Sequence, residues 1–349
     1  MEKIQQRLDY LDIAKAIGIF FVIVGHVAGN LDAPFYRVVL YYFHMPLFFM
    51  ITGLLISRKE IEFNKEYIKN FIYKNLYALM LPFLLWGLIY STFNYTNLLK
   101  ILYGSWESLT SANTLTSLWY LPALFCARLE MEFFLQFTKK IPLPLWLLDI
   151  LGAIAVFAAA VNLPKFEIGY LWCFDVSLLG FGFMLIGNAV RQIVHLLNAN
   201  KIAYSFMILA ASLVAFYFGT FARASEVELV LLCSKQLGNL NYLFLNAISG
   251  SFAVIAFSLI ISRMFKNHQE NRVYKRILWI GSNTIAVFLL HKPFLQQVVL
   301  WDFKAIGLTG PEWLTAIYAS IFALLVCCVI IKPIDNCIPQ LFGHRPKNN

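Results

Sequence analysis

The chain has 349 residues, of which 60% are hydrophobic, 16% aromatic and only 13% charged, with a formal net charge of +9 and a mean hydropathy of +0.68. No water-soluble surface can be built from this composition, which excludes a soluble enzyme or binding module and leaves an integral membrane protein. Apolar runs of about 20 residues, enough to cross a hydrocarbon core of roughly 30 Å, recur along its length, whereas barrel strands need shorter alternating segments.

In chain order the pattern predicts ten helical spans, at 12–29, 36–56, 74–94, 117–137, 144–162, 168–190, 203–222, 240–262, 277–296 and 313–332. The expected fold is an all-α polytopic bundle, a single transmembrane domain over 1–349 with no soluble extracytoplasmic domain. The first span has the outline of a signal peptide, but His26 interrupts its apolar run and no secreted domain follows, so it is expected to be retained. Lysines and arginines divide nineteen to six between alternate connections, which places both termini in the cytoplasm. The net positive charge then belongs to the cytoplasmic leaflet and needs no nucleic acid to explain it. Four of the six cysteines, Cys126, Cys173, Cys327 and Cys328, fall inside spans, and neither a disulfide framework nor a metal site is suggested.

Span one carries KAIGIFFVIVGH at 15–26. Lys15 and His26 are eleven residues apart, three turns plus about 20°, so they share one helix face and stand about 16 Å apart along the axis. Asp12, three residues before Lys15, shares that face and can pair with it. Taken alone, Lys15 also reads as an interface anchor and His26 as a neutral imidazole bonded to a neighbouring helix. Span two runs back through YYFHMPLFFMITG, bringing His44 to a similar depth, with Pro46 removing a backbone donor and favouring a kink. Span nine, with SNTIAVFLLHKP, puts His291 near its outer end, beside Lys292. Topology alone therefore directs three histidines to the outer half of the bundle.

Span four reads LWYLPALFCARLEMEF. Trp119 and Tyr120 suit the outer interface, and aromatic faces are also surfaces on which sugars stack. Arg128 and Glu132 are four apart and positioned for an ion pair, with Glu130 on another face and Asp175 inside span six. Charges at such depth must face a cavity or one another. The basic connection SRKEIEFNKEYIKNFIYKN serves topology, and it also offers cations, Lys74 among them, to the phosphates of a nucleotide donor.

These residues resemble the acyltransferase-3 family of bacterial integral-membrane acyltransferases. The resemblance runs through the Lys15-x10-His26 spacing, FHMPLFFMITG at 43–53, LWYLPALF at 118–125 and the TIAVFLLHKP ending of span nine, in that order along essentially the whole chain. It implies a multi-pass protein of the bacterial plasma membrane that moves an acyl group, usually acetyl, from acetyl-CoA or another acyl-CoA to a hydroxyl of a cell-envelope or secreted glycan, with no bound cofactor. The partners it implies are acyl-CoA, a glycan or lipid-linked glycan acceptor and membrane lipid. The essential histidine of the family's first helix maps to His26 and its basic residue to Lys15. Family members often carry Arg-x-x-Arg before a proline such as Pro82, whereas this chain reads YKNLYALMLP, with Lys74 and no arginine.

On this reading His26 is the general base for the acceptor hydroxyl, a role suited to an imidazole near neutral pH, and a histidine acyl intermediate is the variant. His44 orients or assists it or meets the acceptor. Lys15 meets a donor phosphate or holds Asp12. Trp119, Tyr120, Asp175 and His291 line the acceptor side. The rival reading from another class is a transporter or flippase of a lipid-linked saccharide whose histidines relay protons, which would move glycan without consuming acyl-CoA.

Overall fold

Apolar stretches without β-alternation satisfy their backbone groups in lipid only as helices. The computed structural model, which describes residues 8–28, 34–56, 64–112, 116–199, 202–222, 228–300 and 311–346, is built accordingly. Its α-helices are α1 (Asp9–Ala28), α2 (Pro34–Leu55), α3 (Lys65–Asn75), α4 (Leu81–Tyr90), α5 (Leu98–Tyr103), α6 (Trp106–Ser111), α7 (Tyr120–Thr138), α8 (Leu145–Asn162), α9 (Phe174–Ala189), α10 (Arg191–Ala199), α11 (Ile202–Thr220), α12 (Leu240–Met264), α13 (Arg272–Ser282), α14 (Thr284–Leu300) and α15 (Glu312–Cys337), with no strand among the described residues. Of the cations used to orient the chain, Lys3, Arg7, Arg58, Lys59, Lys201, Arg223, Lys304 and Lys347 lie outside the described residues.

Eight helices, or nine if the bent α13–α14 pair is one span, are long and apolar enough to cross a membrane, so the protein is a polytopic helical bundle. The expected span not among these is span four, seen as α7, 19 residues long, which falls short on composition because it carries Arg128, Glu130 and Glu132. Span three starts at Lys65, well before residue 74. Asn64 caps α3 by accepting the Tyr67 N–H at 2.8 Å, and the helix then runs into a π-helical turn, Leu76–Met80, ahead of Pro82. A proline cannot donate to the residue four positions back, and a widened turn absorbs that defect. The helix α2 passes through Pro46 without interruption.

Span nine is not one straight helix: α13 and α14 meet at a 76° bend. Asn283 ends α13, its backbone N–H bonding to Trp279 O and Ile280 O and its side-chain Nδ2 donating to Trp279 O at 2.8 Å. Two residues earlier, Gly281 lies on the backbone of Asp12, where a Cβ would come within 1.9 Å of the Asp12 carbonyl oxygen. Only glycine permits that approach.

By packing, the chain forms two compact units. The first comprises residues 1–48, 193–230 and 238–328 and contains α1, the first part of α2, α11 to α14 and most of α15. In it α1 packs against α12, α13 and α14, and α11 lies along α12. Tyr274 of α13 donates its hydroxyl to Asp9 at 3.0 Å, so the two carboxylates in the first turn of α1, Asp9 and Asp12, are both engaged there. The second unit comprises residues 49–192, 231–237 and 329–349. There α9 packs on α7 and α8, and the C-terminal segment is tied to α4 by Trp86 Nε1 donating to Leu341 O at 2.8 Å.

Candidate functional site

The first unit gathers the histidines. His26 stands in the last turn of α1, half-buried, with its ring centroid 5.2 Å from that of His291 of α14. His291 is fully buried and also packs on Phe288 at 5.8 Å. Between His26 and His44 lies a residue that the sequence reading passed over, Tyr41, whose ring meets His44 edge-on at 4.8 Å and His26 at 6.3 Å. Tyr41 reaches α1 because residue 25 is glycine, where a Cβ would stand 2.9 Å from the tyrosine ring. Arg37, one turn before Tyr41 on α2, places its guanidinium carbon 5.1 Å from the centroid of that ring. The i, i+4, i+7 spacing of Arg37, Tyr41 and His44 is the sequence signal that marks this face of α2.

Hydrogen bonding fixes two of the three imidazoles. His44 Nδ1 is 2.7 Å from Leu40 O and His291 Nδ1 is 3.2 Å from Val287 O. A carbonyl only accepts, so each Nδ1 carries the hydrogen and each Nε2, in the neutral ring, presents a lone pair. The Nε2 of His291 is buried and has no hydrogen-bond partner among the described residues. Buried polar atoms are rarely left so, and this one adjoins the ring of His26. The cations whose charge acts on His26 are Lys292 and Arg37.

Lys15 sits three turns nearer the start of α1, and its Nζ lies 2.6 Å from Asp12 Oδ1, with the side chains 21% and 9% exposed. Of the two roles expected for it, holding Asp12 is the one seen in this structure.

The remaining candidates belong to the second unit. Trp119 and Tyr120 are 6% and 7% exposed, their rings 5.9 Å apart, and Tyr120 packs edge-on against Phe49 at 5.3 Å. Asp175 occupies the first turn of α9, just after Trp172 and Cys173, both in the left-handed region at φ 54° and 52°. Two consecutive non-glycine residues in that region store strain. Lys235 is the cation that acts on Asp175; burial pulls the Lys235 ammonium below its ordinary range and the Asp175 carboxylate opposes this, while its Nζ donates to Leu163 O at 3.2 Å. Lys74 is exposed in the last turn of α3.

The ion pair expected between Arg128 and Glu132 is not among those of the described residues. Glu132 accepts instead from Tyr67 Oη at 2.9 Å and Gln136 Nε2 at 2.7 Å, while Glu130 accepts from Ser177 Oγ at 2.6 Å. All six thiols are free, and among the described residues no group of histidine, cysteine and carboxylate side chains is arranged to hold a metal ion.

No curated protein and no solved structure matches the chain. A family model described as an acyltransferase domain does, over residues 8–332, from the start of α1 to within α15. That match takes in all three clustered histidines together with Lys15, Arg37 and Tyr41, and the chain belongs to the acyltransferase-3 family of multi-pass membrane acyltransferases.

Proposed function

We propose that the protein transfers an acyl group, acetyl in the first instance, from acyl-CoA to a hydroxyl of a cell-envelope or secreted glycan at the bacterial plasma membrane. The observation that carries the reading is the His26–His291 ring pair at 5.2 Å, in which His291 keeps a buried, unengaged Nε2 beside the half-buried His26. A polar site so arranged in an apolar bundle suits proton transfer from a hydroxyl.

In the step proposed, His26 takes the proton as the acceptor oxygen attacks the thioester carbonyl. The carbon–sulfur bond breaks, the new ester oxygen–carbon bond stays, and the proton passes from His26 to the departing thiolate, giving the acylated glycan and free CoA. His291 Nε2 accepts a hydrogen bond either from the acceptor hydroxyl or from the His26 imidazolium, and so stabilises the proton in transit. His44 fixes the Tyr41 ring that abuts His26. Lys15 holds Asp12 and sets the inner end of the polar face.

Release of CoA from acetyl-CoA by purified protein, with mass spectrometry of envelope glycans from matching cells, tests the reading. Loss of both signals in His26→Ala and His26→Gln, in protein that remains folded, is expected. Near-normal transfer in either variant refutes the role of His26. Movement of lipid-linked glycan by the wild type without consumption of acetyl- or succinyl-CoA refutes the transfer itself.

A further inference from the structure

Resting on that reading, we infer that the acceptor is an acidic saccharide, bearing a carboxylate or phosphate group that Arg37 binds beside the hydroxyl to be acylated. Arg37 is half-buried on α2 and is held over Tyr41, whose ring touches both His44 and His26. Its position relative to His26 is therefore set by one aromatic ring. Its Nε is shielded from water without a hydrogen-bond partner, and its planar fork, with no carboxylate paired to it among the described residues, matches a carboxylate or phosphate.

A second observation points the same way. His291 Nε2, fully buried and unpartnered, requires a hydrogen-bond donor. The ligand that completes both groups must present an O–H and an anion on one molecule, spaced to reach from the His26–His291 pair to the far side of the Tyr41 ring. A uronic acid or a sugar phosphate does this, whereas a neutral sugar leaves the guanidinium uncompensated. The two cations whose charge acts on His26, Lys292 and Arg37, favour the same acceptors electrostatically.

The test uses the full-length protein in nanodiscs of a galactolipid that contains no phosphate. CoA release from acetyl-CoA is followed with methyl glucoside, its uronic acid and its 6-phosphate as acceptors. The anionic acceptors should show kcat/KM about tenfold or more above the neutral one, the scale of one charge-assisted contact. Arg37→Gln should bring that ratio to about one, and Arg37→Lys, which keeps the charge and loses the fork, should retain part of it. Equal use of the three acceptors by the wild type, or an undiminished ratio in Arg37→Gln, overturns the inference. So does a result in which added phosphatidylglycerol is retained through Arg37, read by native mass spectrometry, while acceptor preference stays unmoved, because the anion would then be a lipid phosphate. If no acceptor elicits CoA release, the acyl-transfer reading fails separately. Thermal stabilisation by the uronoside, present in wild type and lost in Arg37→Gln, then supports the anion site, and its absence overturns it.

Discussion

Replacing Gly25 with alanine tests whether Tyr41 sets the geometry around His26. The added Cβ would lie 2.9 Å from Tyr41 Cε2. Carbon atoms in contact prefer about 3.5–4.0 Å, so the ring must retreat by about 0.6–1 Å. His44 at 4.8 Å and Arg37 at 5.1 Å from that ring must follow or lose their contacts. Misplacing a catalytic array by about 1 Å costs up to about a hundredfold, so kcat/KM for acyl transfer should fall by about tenfold to a hundredfold, about 1.4–2.7 kcal/mol of transition-state stabilisation. Gly18→Ala is the matched control, because its Cβ would meet Leu47 Cδ2 at the same 2.9 Å, with the Phe48 ring next at 3.1 Å, on α2 residues that follow the histidine-bearing turn. Both variants gain about 1 kcal/mol of helix propensity and suffer a similar steric insult. The assay is CoA release on purified protein, with a thermal melt of each variant. Wild-type turnover in Gly25→Ala, or an equal activity loss in Gly18→Ala at equal melting temperature, refutes the reasoning.

His291→Phe keeps a ring beside Phe288 and His26 and removes the buried orphan acceptor, so the melting temperature should hold or rise while turnover falls by about a hundredfold; retained turnover in the CoA assay counts against the histidine's role. A double-mutant cycle on Asp12→Ala and Lys15→Met, read by denaturation, should give a coupling of about 1–3 kcal/mol, since each single variant removes one partner of a close and mostly buried pair; strictly additive losses exclude a stabilising pair. Tyr67→Phe deletes one of the two hydrogen bonds to Glu132 and should destabilise the protein by about 1–2 kcal/mol, with Gln136 still in place, and an unchanged denaturation midpoint would show that the contact contributes nothing.

The helical architecture and a common depth for His26 and His291 were legible because membrane spans fix depth: a residue's distance from the end of its span nearly determines its height in the bundle. Height says nothing about which helices adjoin. Trp119, Tyr120 and Asp175 were placed on the acceptor side with His291 on depth and chemistry, and Lys74 at the donor connection; all four belong to the second compact unit. The Arg128–Glu132 spacing was correct for an ion pair, yet Glu132 found Tyr67, 65 residues away, and nothing local announces such a competitor. Tyr41 and Arg37 were missed for the opposite reason. Their spacing to His44 was in plain view, but a tyrosine and an arginine near a span end have an ordinary interface reading that hid the shared face.

The bend between α13 and α14 is what allows His291 to reach His26 at all. Along α1, Asp12 and His26 are separated by 14 residues, about 21 Å, and along α13 and α14 Gly281 and His291 by ten, about 15 Å. With Gly281 pinned to the Asp12 backbone at one end and the two imidazoles adjacent at the other, α14 must run alongside α1. At the other end of α13, Tyr274 bonds Asp9, one turn from Asp12, so α13 lies against the beginning of α1, and α14 leaves α13 with a 76° change of direction. No proline marks the change. Its causes are Gly281, which alone can lie on a backbone carbonyl, and Asn283, whose side chain caps the helix it ends. The catalytic pairing proposed here thus depends on a contact some 15 Å away, and a side chain forced in at Gly281 should disturb His291 as surely as one placed beside it.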